Sequence, residues 1–180
     1  TAIAAQRARS HHPPMTAPLP PDTPAPDSRL PDAVARVAAS VVAVVTRHHA
    51  AAGVVWRPGL VLTSASALWR APRAQIVLPG GEAVVGTLRG ADPGTDLAAL
   101  EFSGAEVPAA GPGAGPGHVA GAASVATGAG LGTRVGDFVF AAGRDPEGGV
   151  HASCGHGGAT GGAWRSWRGG RFDALIRLDG

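Results

Sequence analysis

Short runs of β-branched and aliphatic residues, each followed by a turn that contains Gly or Pro, make up much of the chain after residue 40. The turns include Arg-Pro-Gly at 57–59 and Pro-Gly-Gly at 79–81, and no long helical period separates one run from the next. Strands at this spacing predict an all-β barrel or sandwich. The predicted strands cover residues 40–46, 53–56, 60–64, 75–78, 82–88, 96–102, 135–142, 151–156 and 173–178.

Three breaks in this pattern divide the chain. Residues 1–30 are rich in Pro and have no apolar period, which predicts a disordered tail. Pro31 and Asp32 start a short predicted helical turn just before the first strand. Residues 109–117 contain the run GPGAGPG, which no regular element tolerates, so they predict a flexible linker. The expected organisation is a first β unit at 31–108 and a second β unit at 118–180.

Composition narrows the class of protein. No apolar run approaches the ~18 residues that a membrane-spanning helix needs, so no transmembrane segment is expected. The net charge of +2 does not favour nucleic acid or another strongly charged partner. The first residues show no basic region followed by an apolar stretch, which predicts a soluble chain without a visible signal peptide. The compartment stays open, as does the question of whether Met15 is the true start.

Metal and nucleotide sites are not favoured by the motifs present. The segment 151–156 holds His151, Cys154 and His156, but alternation along a strand places His151 on the opposite face from the other two. A single cysteine cannot form an intramolecular disulfide. The sequence contains no Lys and therefore no Walker A motif, so nucleotide binding is not favoured.

Aromatic and cationic residues alternate at 164–171, with Trp164 and Trp167 among arginines and glycines. Such a pattern is compatible with stacking on nucleobases. A Gly-rich surface loop with its indoles packed on the protein explains it equally simply, and the modest net charge favours this interpretation over nucleic acid.

An ordered series of short motifs resembles the HtrA/Deg-type trypsin-like serine proteases over roughly residues 31–180. The resemblance implies a chymotrypsin-type double β-barrel, with the second barrel incomplete and the active site between the barrels. It also implies that the loop with Trp164 and Trp167 lies where the family has a regulatory, ligand-sensing loop. The motifs are GVVW at 53–56, GLVLTSA at 59–65, IVLPGG at 76–81, ADPGTDLAAL at 91–100 and VGD at 135–137.

The resemblance assigns two members of a Ser-His-Asp triad to positions in this chain. Asp96, in Thr-Asp-Leu-Ala, matches the triad Asp. Ser66 occupies the position of the triad His, because the family's Thr-x-Ala-His reads Thr-Ser-Ala-Ser at 63–66. A hydroxyl is not basic enough near neutral pH to accept the nucleophile's proton. The resemblance therefore predicts that the general base is missing.

The nucleophile is also not found in this sequence. The family's Gly-x-Ser-Gly-Gly follows a strand that corresponds to 172–179, and residues 1–180 do not contain it. The other serines that we considered lack that context, and the histidines are not expected to approach Asp96. These residues are Ser124, Ser153, Ser166, His48, His49, His118, His151 and His156.

These expectations describe a trypsin-like serine endopeptidase homologue that is inactive in this chain and needs no metal or organic cofactor. The alternatives are a non-catalytic peptide-binding or regulatory pseudo-protease module and a non-functional gene fragment. The expected partner is a peptide or an unfolded protein segment. Unpaired strand edges near 173–178 also predict association through the incomplete barrel.

Overall fold

The computed structural model describes residues 29–104, 106–110 and 134–179. Residues 1–28 of the predicted tail and residues 111–117 of the predicted linker lie outside the described residues, as do His118 and Ser124. No helix in the described ranges is long and apolar enough to cross a bilayer.

Among the described residues, most of the regular structure is β-strand, as predicted. Two helices occur among the described residues, α1 at Arg29–Ala38 and α2 at Ala65–Leu68. The strands are β1 Val41–Val45, β2 Ala50–Arg57, β3 Leu60–Ser64, β4 Arg73–Val77, β5 Ala83–Asp92, β6 Leu97–Glu101, β7 Phe138–Arg144, β8 Val150–Gly161, β9 Trp164–Arg165, β10 Arg171–Phe172 and β11 Leu175–Asp179.

Strands β1 to β6 form a closed antiparallel barrel in the order β1-β2-β3-β6-β5-β4. Alternation of side chains sends every second residue inward, so β3 buries Val61 and Thr63 and leaves their neighbours half-buried. Val55, Ile76 and Leu100 are fully buried in the same core. The short helix α2 adds Leu68 to this core, which fixes α2 against the end of β3.

The remaining strands form a partial second sheet in the order β11-β8-β7 and a small β9-β10 hairpin. A closed barrel followed by a partial second sheet confirms the predicted chymotrypsin-like architecture. One strand is longer than the predicted run at 151–156. Strand β8 continues to Gly161, because residues 157–161 pair with β11 in a register that joins Thr160 to Ile176.

Arg144 connects the second sheet to the first barrel. Its side chain is buried, at 6% exposure, and donates hydrogen bonds from Nε to the Val41 carbonyl at 2.8 Å and from Nη2 to the Ala38 carbonyl at 2.8 Å. A third bond runs from Nη1 to the Gly148 carbonyl at 2.7 Å. One guanidinium thus joins β7 and the turn after it to α1 and β1.

Candidate active site

Two neighbouring strands bring Ser66 and Asp96 together. Ser66 lies in α2 directly after β3, and Asp96 lies in the β5–β6 turn directly before β6. Strands β3 and β6 pair with Ser64 opposite Leu97, so the residues that follow one strand and precede the other meet at the same end of the barrel. The Ala65 amide donates to the Asp96 carbonyl at 3.0 Å and joins the two segments through their backbones.

The β5–β6 turn is held by the first of its two aspartates. The carboxylate of Asp92 accepts hydrogen bonds from the Gly94 amide at 2.8 Å and from the Thr95 hydroxyl at 2.8 Å. This arrangement is an Asx turn, in which a side chain replaces a backbone acceptor. Asp96 at the end of the turn has a φ of 56°, in the left-handed region that Asp tolerates better than most residues.

The Asp96 carboxylate accepts hydrogen bonds from the end of β3 and the start of α2. The Ser64 hydroxyl donates to Oδ2 at 2.6 Å, and the Ser66 amide donates to Oδ1 at 2.7 Å. The Ser66 hydroxyl lies 3.2 Å from Oδ2 and 2.8 Å from the Ser64 hydroxyl. Although serine is shorter than histidine, Ser66 contacts Asp96 directly. Of its two contacts with the carboxylate, the one from the backbone amide is shorter than the one from the hydroxyl.

These hydrogen bonds stabilise the ionised form of the carboxylate. The Ser64 hydroxyl, followed by the Ser66 amide, lowers the pKa of Asp96 below its ordinary value, and the charge of Arg168 acts in the same direction. Asp96 is therefore an acceptor at neutral pH. It has no proton to donate, and its partners are two serines, neither of which has the basicity of an imidazole.

The described histidines lie elsewhere. The His49 ring lies beside Trp69 at a centroid distance of 6.3 Å, and the His156 ring packs against Phe138 at 5.8 Å. His151 lies beside Gly143 on the second sheet. Within residues 29–104, 106–110 and 134–179, no histidine is hydrogen-bonded to Asp96.

Trp164 and Trp167 occupy the β9–β10 hairpin in different ways. Trp164 stacks on Phe172 at a centroid distance of 4.5 Å, and its Nε1 donates to the Ala174 carbonyl at 3.2 Å. Trp167 is 87% exposed, and the Arg168 guanidinium lies over its ring at 4.5 Å from the centroid.

The hairpin is attached to the turn that carries Asp96. The Ser166 hydroxyl donates to the Gly94 carbonyl at 2.7 Å and accepts from the Gly170 amide at 3.1 Å. Gly170 and Gly94 approach so closely that a Cβ at either one would meet the backbone of the other. The exposed indole of Trp167 therefore belongs to a loop that packs on the candidate site.

Three residues of this arrangement were not predicted from the sequence. Ser64 makes the shortest contact with Asp96, Ser166 joins the hairpin to the turn, and Arg168 adds positive charge. The only signal was local: Ser64 stands within the Thr-Ser-Ala-Ser motif at 63–66, and the other two stand within the aromatic and cationic segment.

Metal-binding side chains do not converge in the part of the chain that the structure describes, where no group of three or more His, Cys, Asp or Glu residues could hold an ion. Cys154 is an exposed free thiol on β8.

Comparisons with known proteins agree with the fold. The family model described as "Trypsin-like peptidase domain" matches residues 51–180. Among solved structures, the chain is similar to one described as "HtrA-type protease AlgW with tripeptide", with 27% sequence identity and a TM-score of 0.59. That match covers 73% of this chain and 40% of the other, so the chain spans less than half the length of that protease. The comparison with curated proteins gave no match. On the evidence of its sequence motifs, its closed barrel and these two likenesses, the chain belongs to the trypsin-like peptidase family, in the HtrA/Deg-type group.

Proposed function

We propose that this chain is a pseudo-protease, a trypsin-like serine endopeptidase homologue that engages polypeptide without hydrolysing it. The observation that carries the proposal is the contact between Ser66 and Asp96, with the Ser66 amide 2.7 Å from Oδ1 and its hydroxyl 3.2 Å from Oδ2. Ser66 holds the place that the resemblance assigns to the general base.

The chemistry of peptide hydrolysis explains why this replacement matters. The base must take the proton of the attacking hydroxyl and give it to the leaving amine. The triad Asp only orients that base and stabilises its protonated form. With serine in the position, Asp96 has no imidazole to orient, and its carboxylate is engaged by Ser64 and Ser66. Loss or misorientation of a triad member lowers turnover by about 10⁴-fold or more.

Polypeptide is the ligand class that the surroundings favour. The related HtrA-type structure is described with a tripeptide. In this chain, the exposed Trp167 and the stacked Trp164 lie on a hairpin that packs against the Asp92–Asp96 turn. We assign these indoles to polypeptide contact beside the site, because an exposed indole supplies a large apolar surface at little cost in side-chain entropy.

A reconstruction tests the missing base. The chain is extended with a family-type Gly-x-Ser-Gly-Gly segment and the strands that follow it, and three forms are compared: unchanged Ser66, Ser66→His and Ser66→Ala. We expect turnover of a casein substrate only in the Ser66→His form, at about 10⁴-fold above the other two. Ser66→Ala is the matched control, because it keeps the Ser66 amide contact and the Ser64 contact with Asp96.

Two results would contradict the proposal. The first is hydrolysis of casein by the unchanged 180-residue chain. The second is an extended Ser66→His protein that folds, binds peptide and shows no gain in turnover, which would mean that Ser66 does not occupy the base position.

A further inference from the structure

A second surface of the first barrel carries basic side chains and is formed by the β1–β2 turn, the α2–β4 connection and the first residue of β4. We call it the basic surface, and its residues are Arg47, His48, His49, Trp69, Arg70 and Arg73. All six are exposed. The sequence between Asp32 and Glu82 contains no Asp or Glu, so neither connection supplies a carboxylate. Among the described residues, the ion pairs formed by Arg89, Arg134 and Arg177 do not involve this surface.

A shallow depression lies within this basic surface. It has a volume of about 420 Å³ and is lined by the two arginines Arg47 and Arg73 together with apolar and neutral polar side chains. Val45 and Gln75 pair across β1 and β4 beneath it, and the Val85 side chain, 63% exposed, forms one wall. The depression thus combines an apolar surface with the guanidinium groups of Arg47 and Arg73.

The adjoining aromatic corner has an unusual backbone. Trp69 and Arg70 both have positive φ angles, of 43° and 65°, which cost energy in residues other than Gly, Asn and Asp. This conformation leaves the Trp69 side chain 74% exposed, with its ring 6.3 Å from the ring of His49. This corner of the basic surface therefore presents an exposed indole next to Arg70 and His49.

The basic surface also adjoins the candidate active site. The Thr46 hydroxyl, in the β1–β2 turn, lies 3.5 Å from the Ala67 carbonyl of α2, the helix that carries Ser66. The β1–β2 turn thus touches the helix that carries Ser66.

We propose that the basic surface docks an extended acidic polypeptide segment, with an apolar side chain seated in the depression and flanking carboxylates paired to Arg47 and Arg73. The charge complementarity comes from the arginines, and the apolar requirement comes from Val45, Ala74 and Val85 in the lining. Nucleic acid fits less well, because phosphate recognition uses a longer track of cations and the whole chain carries a net charge of only +2.

Fluorescence anisotropy with the 180-residue chain tests this docking. The probe is a fluorescein-labelled peptide Glu-Asp-Glu-Phe-Glu-Asp-Glu, and the controls replace its acids by the corresponding amides or its Phe by Ser. We expect the acidic Phe peptide to bind best and its affinity to fall as salt is raised, because exposed charge pairs are screened beyond about 10 Å at 0.1 M salt.

Matched double variants locate the surface. Arg47→Glu with Arg73→Glu should weaken binding by at least about tenfold, because two attractive contacts become repulsive. Arg36→Glu with Arg57→Glu changes the net charge by the same amount at two exposed positions, in α1 and at the far end of β2, and should leave the affinity within about twofold. If the first pair fails to fold, Arg47→Gln with Arg73→Gln replaces it, with a loss of about fivefold expected.

Three outcomes would overturn the docking proposal: equal losses in both double variants, equal binding of the acidic and amide peptides, or tighter binding of a duplex oligonucleotide than of the acidic peptide at the same salt concentration. None of these measurements involves hydrolysis. Failure of the docking proposal therefore leaves the assignment of Ser66 standing, and detection of hydrolysis leaves the docking proposal standing.

Discussion

The closed first barrel and the partial second sheet bury their apolar residues to very different extents, although both are built from short antiparallel strands. Every strand of the barrel has a partner on both sides, and its core residues, such as Val55, Ile76 and Leu100, are fully buried. In the second sheet, β11 pairs with β8 alone among the described residues, and Leu175 and Leu178 stay 40% and 53% exposed.

This difference shows that alternation of apolar and polar residues along a strand does not by itself produce a buried core. When apolar residues alternate with polar ones along a strand, they all lie on one face of the sheet. Burial of that face requires a second layer packed against it or closure of the sheet into a barrel. The barrel supplies its own opposite wall. Most of the large hydrophobic side chains that are exposed in the described residues lie in the second sheet, in its hairpin or in the turn before β7: Val135, Phe138, Val150, Trp164, Trp167, Leu175 and Leu178.

The largest expected effect separates the two regions directly. Leu100→Ala removes a fully buried side chain from the barrel and should lower the free energy of unfolding by about 2 to 5 kcal/mol. Leu178→Ala makes the same chemical change at an exposed position of β11 and should stay within about 0.5 kcal/mol of the parent. Urea denaturation followed by circular dichroism measures both, and equal losses would remove the contrast between the regions.

The connection between the regions gives the next effect. Arg144→Met removes three hydrogen bonds to buried or part-buried carbonyls and should destabilise the chain by about 2 to 3 kcal/mol, since an orphaned buried polar group is costly. Amide hydrogen exchange should show β7 and α1 losing protection together. Arg144→Lys retains the positive charge but lacks the planar guanidinium with its several donors, so we expect an intermediate loss in the free energy of unfolding. Unchanged protection in α1 would show that Arg144 does not join the regions.

The attachment of the hairpin to the Asp92–Asp96 turn is the third target. Gly170→Ala places a Cβ against the backbone of Gly94 and should cost about 1 kcal/mol or more and release the hairpin. Gly162→Ala is the matched control, because a Cβ there has no neighbour within 4 Å. Limited proteolysis at the arginines of the hairpin reports the release. Equal cleavage of both variants would argue that the contact between Gly170 and Gly94 does not hold the hairpin.

The smallest effect concerns the titration of Asp96. Its pKa is lowered in the folded chain, so the ionised carboxylate contributes stability that is present above its ordinary value of 3.8 and is lost as the pH falls through the lower folded value. Ser64→Ala removes the largest cause of the shift and should move the pKa of Asp96 upward, so that the acid-induced loss of stability becomes smaller and is complete at a higher pH.

Carboxyl carbon chemical shifts measured by NMR against pH check this expectation. Asp92 is the internal control, because its pKa is lowered by the Thr95 hydroxyl and the Gly94 amide, which the Ser64→Ala change leaves in place. An unchanged Asp96 titration would mean that Ser64 does not hold the carboxylate.

The sequence by itself determined where most of the strands lie, because alternation and turn residues are local properties. The predicted runs at 60–64, 96–102 and 135–142 each fall on a strand of the structure, and the motifs around Asp96 identified the family. The resemblance also pairs Ser66 with Asp96 on the basis of sequence motifs alone.

Tertiary structure decided which further groups meet at the site. Ser64 is 32 residues from Asp96 in the chain, and Ser166 is 72 residues from Gly94, yet each forms a hydrogen bond below 3 Å. Likewise, β8 extends through 157–161 only because β11 pairs with it. A Gly-rich segment has no strand preference of its own, and a serine hydroxyl bonds whichever acceptor the fold places beside it. Contacts of this kind depend on strand pairing between distant segments, which local sequence patterns do not encode.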